Sequence, residues 1–176
     1  NWVLDIANAS TADGTSIRLY EPNASDAQKF MLASVVTVTT DKTVQICSKL
    51  GHDLMLDVRG ESTDNGAKIQ TWTWNKADSQ IYILHAVGNG VYTIQNVHSQ
   101  KMLEAASGNT GNGTAVQQWA SNSTQSQHWL ALDAGSGYLR FYGSKSGKYM
   151  DVTNASTSTG TGIQIWEDTG SPAQEW

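Results

Sequence analysis

One pattern recurs four times along this chain and limits its fold more than any other feature. An acidic residue sits inside a short apolar run at Leu4-Asp5-Ile6, Leu56-Asp57-Val58, Leu103-Glu104-Ala105 and Met150-Asp151-Val152. A polar, glycine-containing turn follows each. Next come Ile17-Arg18-Leu19-Tyr20, Ile69-Gln70-Thr71-Trp72, Val116-Gln117-Gln118-Trp119 and Ile163-Gln164-Ile165-Trp166. A Gln-x-aromatic triplet closes every repeat, with its glutamine (Gln28, Gln80, Gln127, Gln174) always 23 residues after the acid. The acids are 52, 47 and 47 residues apart, so the repeat is rigid and the connections vary. Self-similarity at such a period means one supersecondary unit used several times.

Alternating apolar and polar residues between Gly, Asn and Ser turns mark each repeat as a set of short strands, and no stretch carries a helical period. Further strand-like runs, Val44-Gln45-Ile46, Val91-Tyr92-Thr93-Ile94 and Tyr138-Leu139-Arg140-Phe141, precede the second, third and fourth acids. The expected fold is all-β, with about four strands per repeat.

Partners on an antiparallel ladder keep a constant index sum. If Ile6 faces Ile17, then Val58 faces Ile69, Ala105 faces Val116 and Val152 faces Ile163, and all four pairs are apolar. The adjacent pairs Asp5/Arg18, Asp57/Gln70, Glu104/Gln117 and Asp151/Gln164 then point to the opposite face, to which Tyr20, Trp72, Trp119 and Trp166 return. An acid, a polar partner and a flat aromatic thus share one patch per repeat. Phe30, Tyr82, Trp129 and Trp176 of the closing triplets are assigned to the core. Their glutamines are assigned to bonds with backbone.

Charged residues make up 15% of the chain, the net charge is -5, and 7 Trp and 6 Tyr accompany only 2 Phe. Without a basic cluster to neutralise phosphate, nucleic acid is excluded as a partner. No apolar run is long enough to span a bilayer as a helix, so membrane insertion is not expected. One cysteine excludes an internal disulfide, and with four scattered histidines no thiolate metal site is expected. No nucleophile elbow or phosphate loop is present, and the repeated acids lie in different repeats rather than as a hydrolytic pair. The chain is therefore expected to be non-catalytic, with no cofactor and no metal. The remaining chemistry suits a sugar: a pyranose stacks its C–H face on Trp while a carboxylate and an amide bond its hydroxyls.

At these residues the sequence resembles the ricin B-type lectin family, carbohydrate-binding modules marked by repeated Gln-x-Trp. The resemblance covers essentially the whole chain. It implies a β-trefoil built from repeats of about 47 residues, each with one potential sugar pocket. The residues it carries over are Asp57, Gln70 and Trp72; Glu104, Gln117 and Trp119; Asp151, Gln164 and Trp166. One departure is the residue before each closing glutamine. The family's typical galactose site has Asn there, and this chain has Ala27, Ser79, Ser126 and Ala173. Asn23, Asn75 and Asn122 lie nearby in sequence as substitutes. The second and fourth repeats keep all three elements. Glu104 carries an extra methylene that is expected to push its carboxylate outward, and Arg18 is expected to pair with Asp5 and silence the first repeat.

A trefoil closes with three repeats, so residues 43–176 are expected to form the lectin domain. Residues 1–42 are expected to be the tail of a preceding repeat or domain. The resulting expectation is a secreted or cell-surface lectin module within a larger multidomain protein. Its partners are glycans, galactose-type sugars being one candidate class. The alternative is a structural or protein-interaction trefoil with degenerate pockets.

Overall fold

The alternating sequence folds into short antiparallel strands, joined by loops and single 3-10 turns. The structure, a computed structural model, describes residues 2–12, 15–28, 34–37 and 40–176. They form two compact units, Asn1–Ala33 and Ser34–Trp176.

The N-terminal unit holds one hairpin, β1 (Val3–Ile6) with β2 (Ile17–Tyr20). Its register is the one expected, Asp5 opposite Arg18 and Ile6 opposite Ile17. On its apolar face Leu4, Ile17 and Leu19 are exposed. Phe30, assigned to the core from sequence, lies outside the described residues.

The C-terminal unit carries the second, third and fourth repeats. The second comprises β3 (Lys42–Val44), β4 (Leu54–Val58), β5 (Ile69–Thr73) and β6 (Tyr82–Gly88). The third comprises β7 (Val91–Asn96), β8 (Met102–Ala105), β9 (Thr114–Trp119) and β10 (Trp129–Gly135). The fourth has β11 (Tyr138–Gly143), β12 (Lys148–Val152) and β13 (Ile163–Trp166). In each repeat the acid strand and the Gln strand pair as a hairpin, β4–β5, β8–β9 and β12–β13, in the register derived from the index sums. The first and last strands of the repeats pair with one another as β3–β6–β7–β10–β11. Three such repeats around one axis make a β-trefoil. The unit also takes in Ser34–Val36, whose backbone bonds β10 from Asp133 N to Ser34 O and from Val36 N to Ala131 O.

The three hairpins are tied to each other in a cycle. Gly160 N donates to Thr71 O at 2.7 Å, Gly66 N to Gln118 O at 2.8 Å, and Gly113 N to Ile165 O at 3.0 Å. Each bond joins the turn of one repeat to the Gln strand of another.

The core lies beneath this cycle. Leu56, Val58, Ile69, Leu103, Val116, Met150, Val152, Ile163 and Ile165 are buried, as the pairing of apolar residues predicts. Tyr82, Trp129 and Trp176 of the closing triplets are buried with them. The two indoles are anchored through Nε1, Trp129 to Leu103 O and Trp176 to Met150 O. Burying so large a ring suits a residue whose single polar atom finds a partner.

Candidate functional site

Each acid strand runs into a tight turn containing a left-handed residue: Gly60 (φ 66°), Ser107 (φ 57°) and Asn154 (φ 55°). The turn curls over the acid, and a cavity opens between it and the aromatic end of the paired strand. The largest, about 600 Å³, is lined by Asp57, Arg59, Glu61, Gln70, Trp72, Asn75 and Gly160. Its equivalent in the third repeat, about 340 Å³, contains Glu104, Ser107, Gln117, Trp119, Asn122 and Lys145. In the fourth, also about 340 Å³, the lining includes Asp151, Asn154, Gln164, Trp166 and Thr169. All nine residues singled out from sequence thus line cavities, three to each.

Within each cavity the acid and the amide are bonded. Gln70 Nε2 donates to Asp57 Oδ1 at 2.8 Å, Gln164 Nε2 to Asp151 Oδ1 at 2.9 Å, and Gln117 Nε2 to Glu104 Oε1 at 3.1 Å. The longer Glu104 side chain therefore keeps its amide partner. The extra methylene does not carry the carboxylate out of the site, because Gln127 Nε2 holds the second oxygen at 3.0 Å. A carboxylate oxygen accepts more than one hydrogen bond, so a single amide donor leaves acceptor capacity for a ligand hydroxyl.

Burial pushes the Asp57 carboxyl up from the usual carboxylate range, against hydrogen bonds from Gln70, Ser79 and Gln80 that favour the charged form. The Asp151 carboxyl is likewise raised by burial, opposed by Gln164 and Gln174. The aromatics contrast with these sheltered acids. Trp72 is 40% exposed and Trp119 39%. A charge-bearing acceptor at the floor beside an open indole face is an arrangement for a ligand with hydroxyls on one edge and an apolar face.

Two features were not read from sequence. The closing glutamines do bond backbone, as Gln80 Nε2 does to Thr73 O and Gln127 Nε2 to Ala120 O. They also hold the acids: Gln28 Nε2 lies 3.2 Å from Asp5 Oδ2, matching the Gln127–Glu104 bond. The constant 23-residue spacing was the available signal. The second feature is a glycine from another repeat behind each Trp. A Cβ on Gly160 would lie 3.4 Å from Trp72, one on Gly66 3.7 Å from Trp119, and one on Gly113 3.7 Å from Trp166. These glycines stand nine residues after each acid, as does Gly14.

The first repeat differs. Arg18 Nε donates to Asp5 Oδ1 at 2.9 Å, and its guanidinium carbon sits 4.4 Å from the centre of the Tyr20 ring. One side chain thus occupies the acid and covers the aromatic. Among the described residues, no group of three or more His, Cys, Asp or Glu side chains is placed to hold a metal ion.

The sequence matches the ricin-type β-trefoil lectin domain-like family over residues 1–72 and 78–166. No curated protein sequence matches the chain. Among solved structures it is similar to a designed threefold-symmetric protein, ThreeFoil. That match has 30% identity and a TM-score of 0.74, and covers 76% of this chain and 95% of that one. An exo-β-1,3-galactanase from Clostridium thermocellum matches at 32% identity and a TM-score of 0.72 over 92% of this chain, which spans only 35% of the enzyme. A ricin B-like lectin from Macrolepiota procera, in complex with lactose, shares the fold at 17% identity and a TM-score of 0.68, covering 80% and 96% of the two chains. The chain belongs to the ricin-type β-trefoil lectin domain-like family.

Proposed function

We propose that the chain is a non-catalytic carbohydrate-binding module whose three cavities each receive one sugar ring. The observation that carries this is the threefold recurrence of a buried, amide-held carboxylate with an indole in the same cavity, exposed at Trp72 and Trp119 and half-buried at Trp166. The ring would stack on Trp72, Trp119 or Trp166. Its hydroxyls would bond Asp57 with Gln70, Glu104 with Gln117, or Asp151 with Gln164.

Galactose-type sugars head the candidates, supported by the 32% identity to a galactan-cleaving enzyme. Asn75 and Asn122 supply a further amide in their cavities, and Thr169 a hydroxyl in the third, where the family's Asn before the closing glutamine is missing. The module's role is to tether a larger secreted or surface protein to glycans. One stacked ring with a few water-competing hydrogen bonds gives about 4 to 5 kcal/mol, near-millimolar affinity per site, so retention depends on several sites acting together.

The test is chromatography of the chain over immobilised galactose-, N-acetylgalactosamine- and glucose-terminated glycans, with free lactose as competitor. Retention on a galactose-type column that lactose reverses is expected. Passage through all three without delay would overturn the proposal in favour of a protein-contact module.

A further inference from the structure

The three cavities share their acid, amide and indole but differ at two equivalent positions. The first stands four residues after each acid, in the turn that curls over it: Glu61, Gly108 and Ala155. All three are left-handed, with φ of 52°, 65° and 49°. In the second repeat this position supplies a carboxylate, and in the fourth only a methyl group. In the third, the absence of a Cβ makes room for Lys145, whose Nζ would lie 2.6 Å from a Cβ on Gly108. Lys145 lines the cavity, and among the described residues it makes no ion pair.

The second position stands eleven residues after each acid and faces the site glutamine of another repeat. Gly162 lies opposite Gln70, Ala115 opposite Gln164, and Lys68 opposite Gln117. Glycine and alanine bring no side-chain donor to the amide. Lys68 does, its Nζ donating to Gln117 Oε1 at 3.2 Å. Both differences thus fall on the same cavity with the same sign. The third site sets two ammonium groups against one carboxylate, Glu104, whose two oxygens are each held by a glutamine. The fourth has Asp151 as its one charged lining residue, and the second has Asp57 and Glu61 against Arg59. With the carboxylates ionised, the third site is net positive and the other two are net negative.

We infer that the third-repeat cavity selects a sugar ring bearing an anionic substituent, a carboxylate or a sulfate ester. Lys145 bonds the anion, and Lys68 adds charge while holding Gln117. This rests on the carbohydrate-binding reading above and names what sets one of its sites apart. An ammonium is a compact charge with three rotatable donors, suited to either acid. Gln117 Oε1, already bonded by Lys68, keeps less acceptor capacity for the hydroxyl of a neutral ring. The same two lysines therefore favour an acidic ring and weaken the hold on a neutral one.

The test titrates the chain with methyl galactoside, methyl galacturonoside and methyl galactoside 6-sulfate, three rings that differ only at C6. The indole N–H resonances of Trp72, Trp119 and Trp166 are followed by NMR, each assigned from its Trp→Phe variant. Trp119 is expected to respond to at least one acidic ring at about fivefold lower concentration than to the neutral one, the scale of one exposed ion pair. The stronger of the two identifies the acid. Trp166 should show no such preference. Lys145→Met should remove the preference at Trp119 and Lys145→Arg should keep it, while Lys68→Met should reduce it. In about 1 M salt, where charges are screened beyond about 3 Å, it should shrink. Equal response of Trp119 to all three rings, with Trp166 responding to the neutral one, would overturn this inference and leave the carbohydrate reading standing. So would a preference that survives Lys145→Met or appears equally at Trp166. Silence of all three indoles with every ring would overturn both.

Discussion

Gly160 and Trp72 belong to different repeats yet form one wall of the same cavity, a Cβ on the glycine falling 3.4 Å from Cζ3 of the indole. The same relation links Gly66 to Trp119 and Gly113 to Trp166. No repeat therefore builds its cavity alone. Closing the trefoil also completes each site, which ties the order of the cavities to the stability of the fold.

Gly160→Ala is expected to act twice. Its φ of +79° disfavours any side chain, and the added carbon presses on Trp72. Gly135 has the same φ with nothing within 4 Å, so Gly135→Ala isolates the backbone part. Both variants should lose about 1 to 2 kcal/mol of stability from the left-handed conformation, measured by denaturant unfolding. Only Gly160→Ala should also weaken glycan retention. Equal retention by the two would show that the glycine does not shape the site.

The closing aromatics and the cavity aromatics should separate cleanly. Trp129 is fully buried, with its Nε1 on Leu103 O, so Trp129→Ala is expected to cost about 3 to 5 kcal/mol. Trp72, 40% exposed, should cost much less stability when replaced by Ala, and mainly weaken binding. Similar unfolding midpoints for the two variants would contradict this division.

Acidification should release the ligand before it harms the fold. Burial raises the Asp57 and Asp151 carboxyls, so they take up protons at a higher pH than an ordinary carboxylate. Their folded-state pKa lies above the unfolded one. Stability from these two groups is thus greatest below the unfolded pKa and falls as pH rises through the folded value. Losing the charged acceptor, by contrast, weakens sugar binding. Glycan retention should decline on approach to the carboxylate range from above, while the unfolding midpoint does not fall with it. Parallel loss of both would contradict the assignment.

Chelation should leave retention unchanged. The third- and fourth-repeat cavities each offer one carboxylate, already bonded to an amide, and the second-repeat cavity offers two, Asp57 and Glu61, too few hard oxygens for calcium. Loss of retention in EDTA, restored by calcium, would refute the proposed chemistry.

Much of this was legible because the strands are local and repeated. Constant index sums placed Asp57 opposite Gln70 and Asp151 opposite Gln164, since hairpin register follows from two short runs and the turn between them. The pairing of Arg18 with Asp5 was legible for the same reason. Contacts between repeats were not. Gly160 approaches Trp72 across the threefold cycle, and no pattern within one repeat states which neighbour closes against it. The second role of Gln127, holding Glu104, was hidden likewise, because the 23-residue spacing fixes a periodicity without naming the atoms that meet.

The most direct measurement of the central claim is retention on a multivalent galactose-type glycan by the unmodified chain, the Trp72→Ala and Trp166→Ala variants, and the double variant, each verified as folded. The two single changes should each weaken retention. The double change leaves only the third-repeat site, where Lys68 Nζ lies 3.2 Å from Gln117 Oε1 and Lys145 lines the cavity, and should abolish retention. A double variant retained as strongly as the unmodified chain would place recognition elsewhere on the surface and contradict the account.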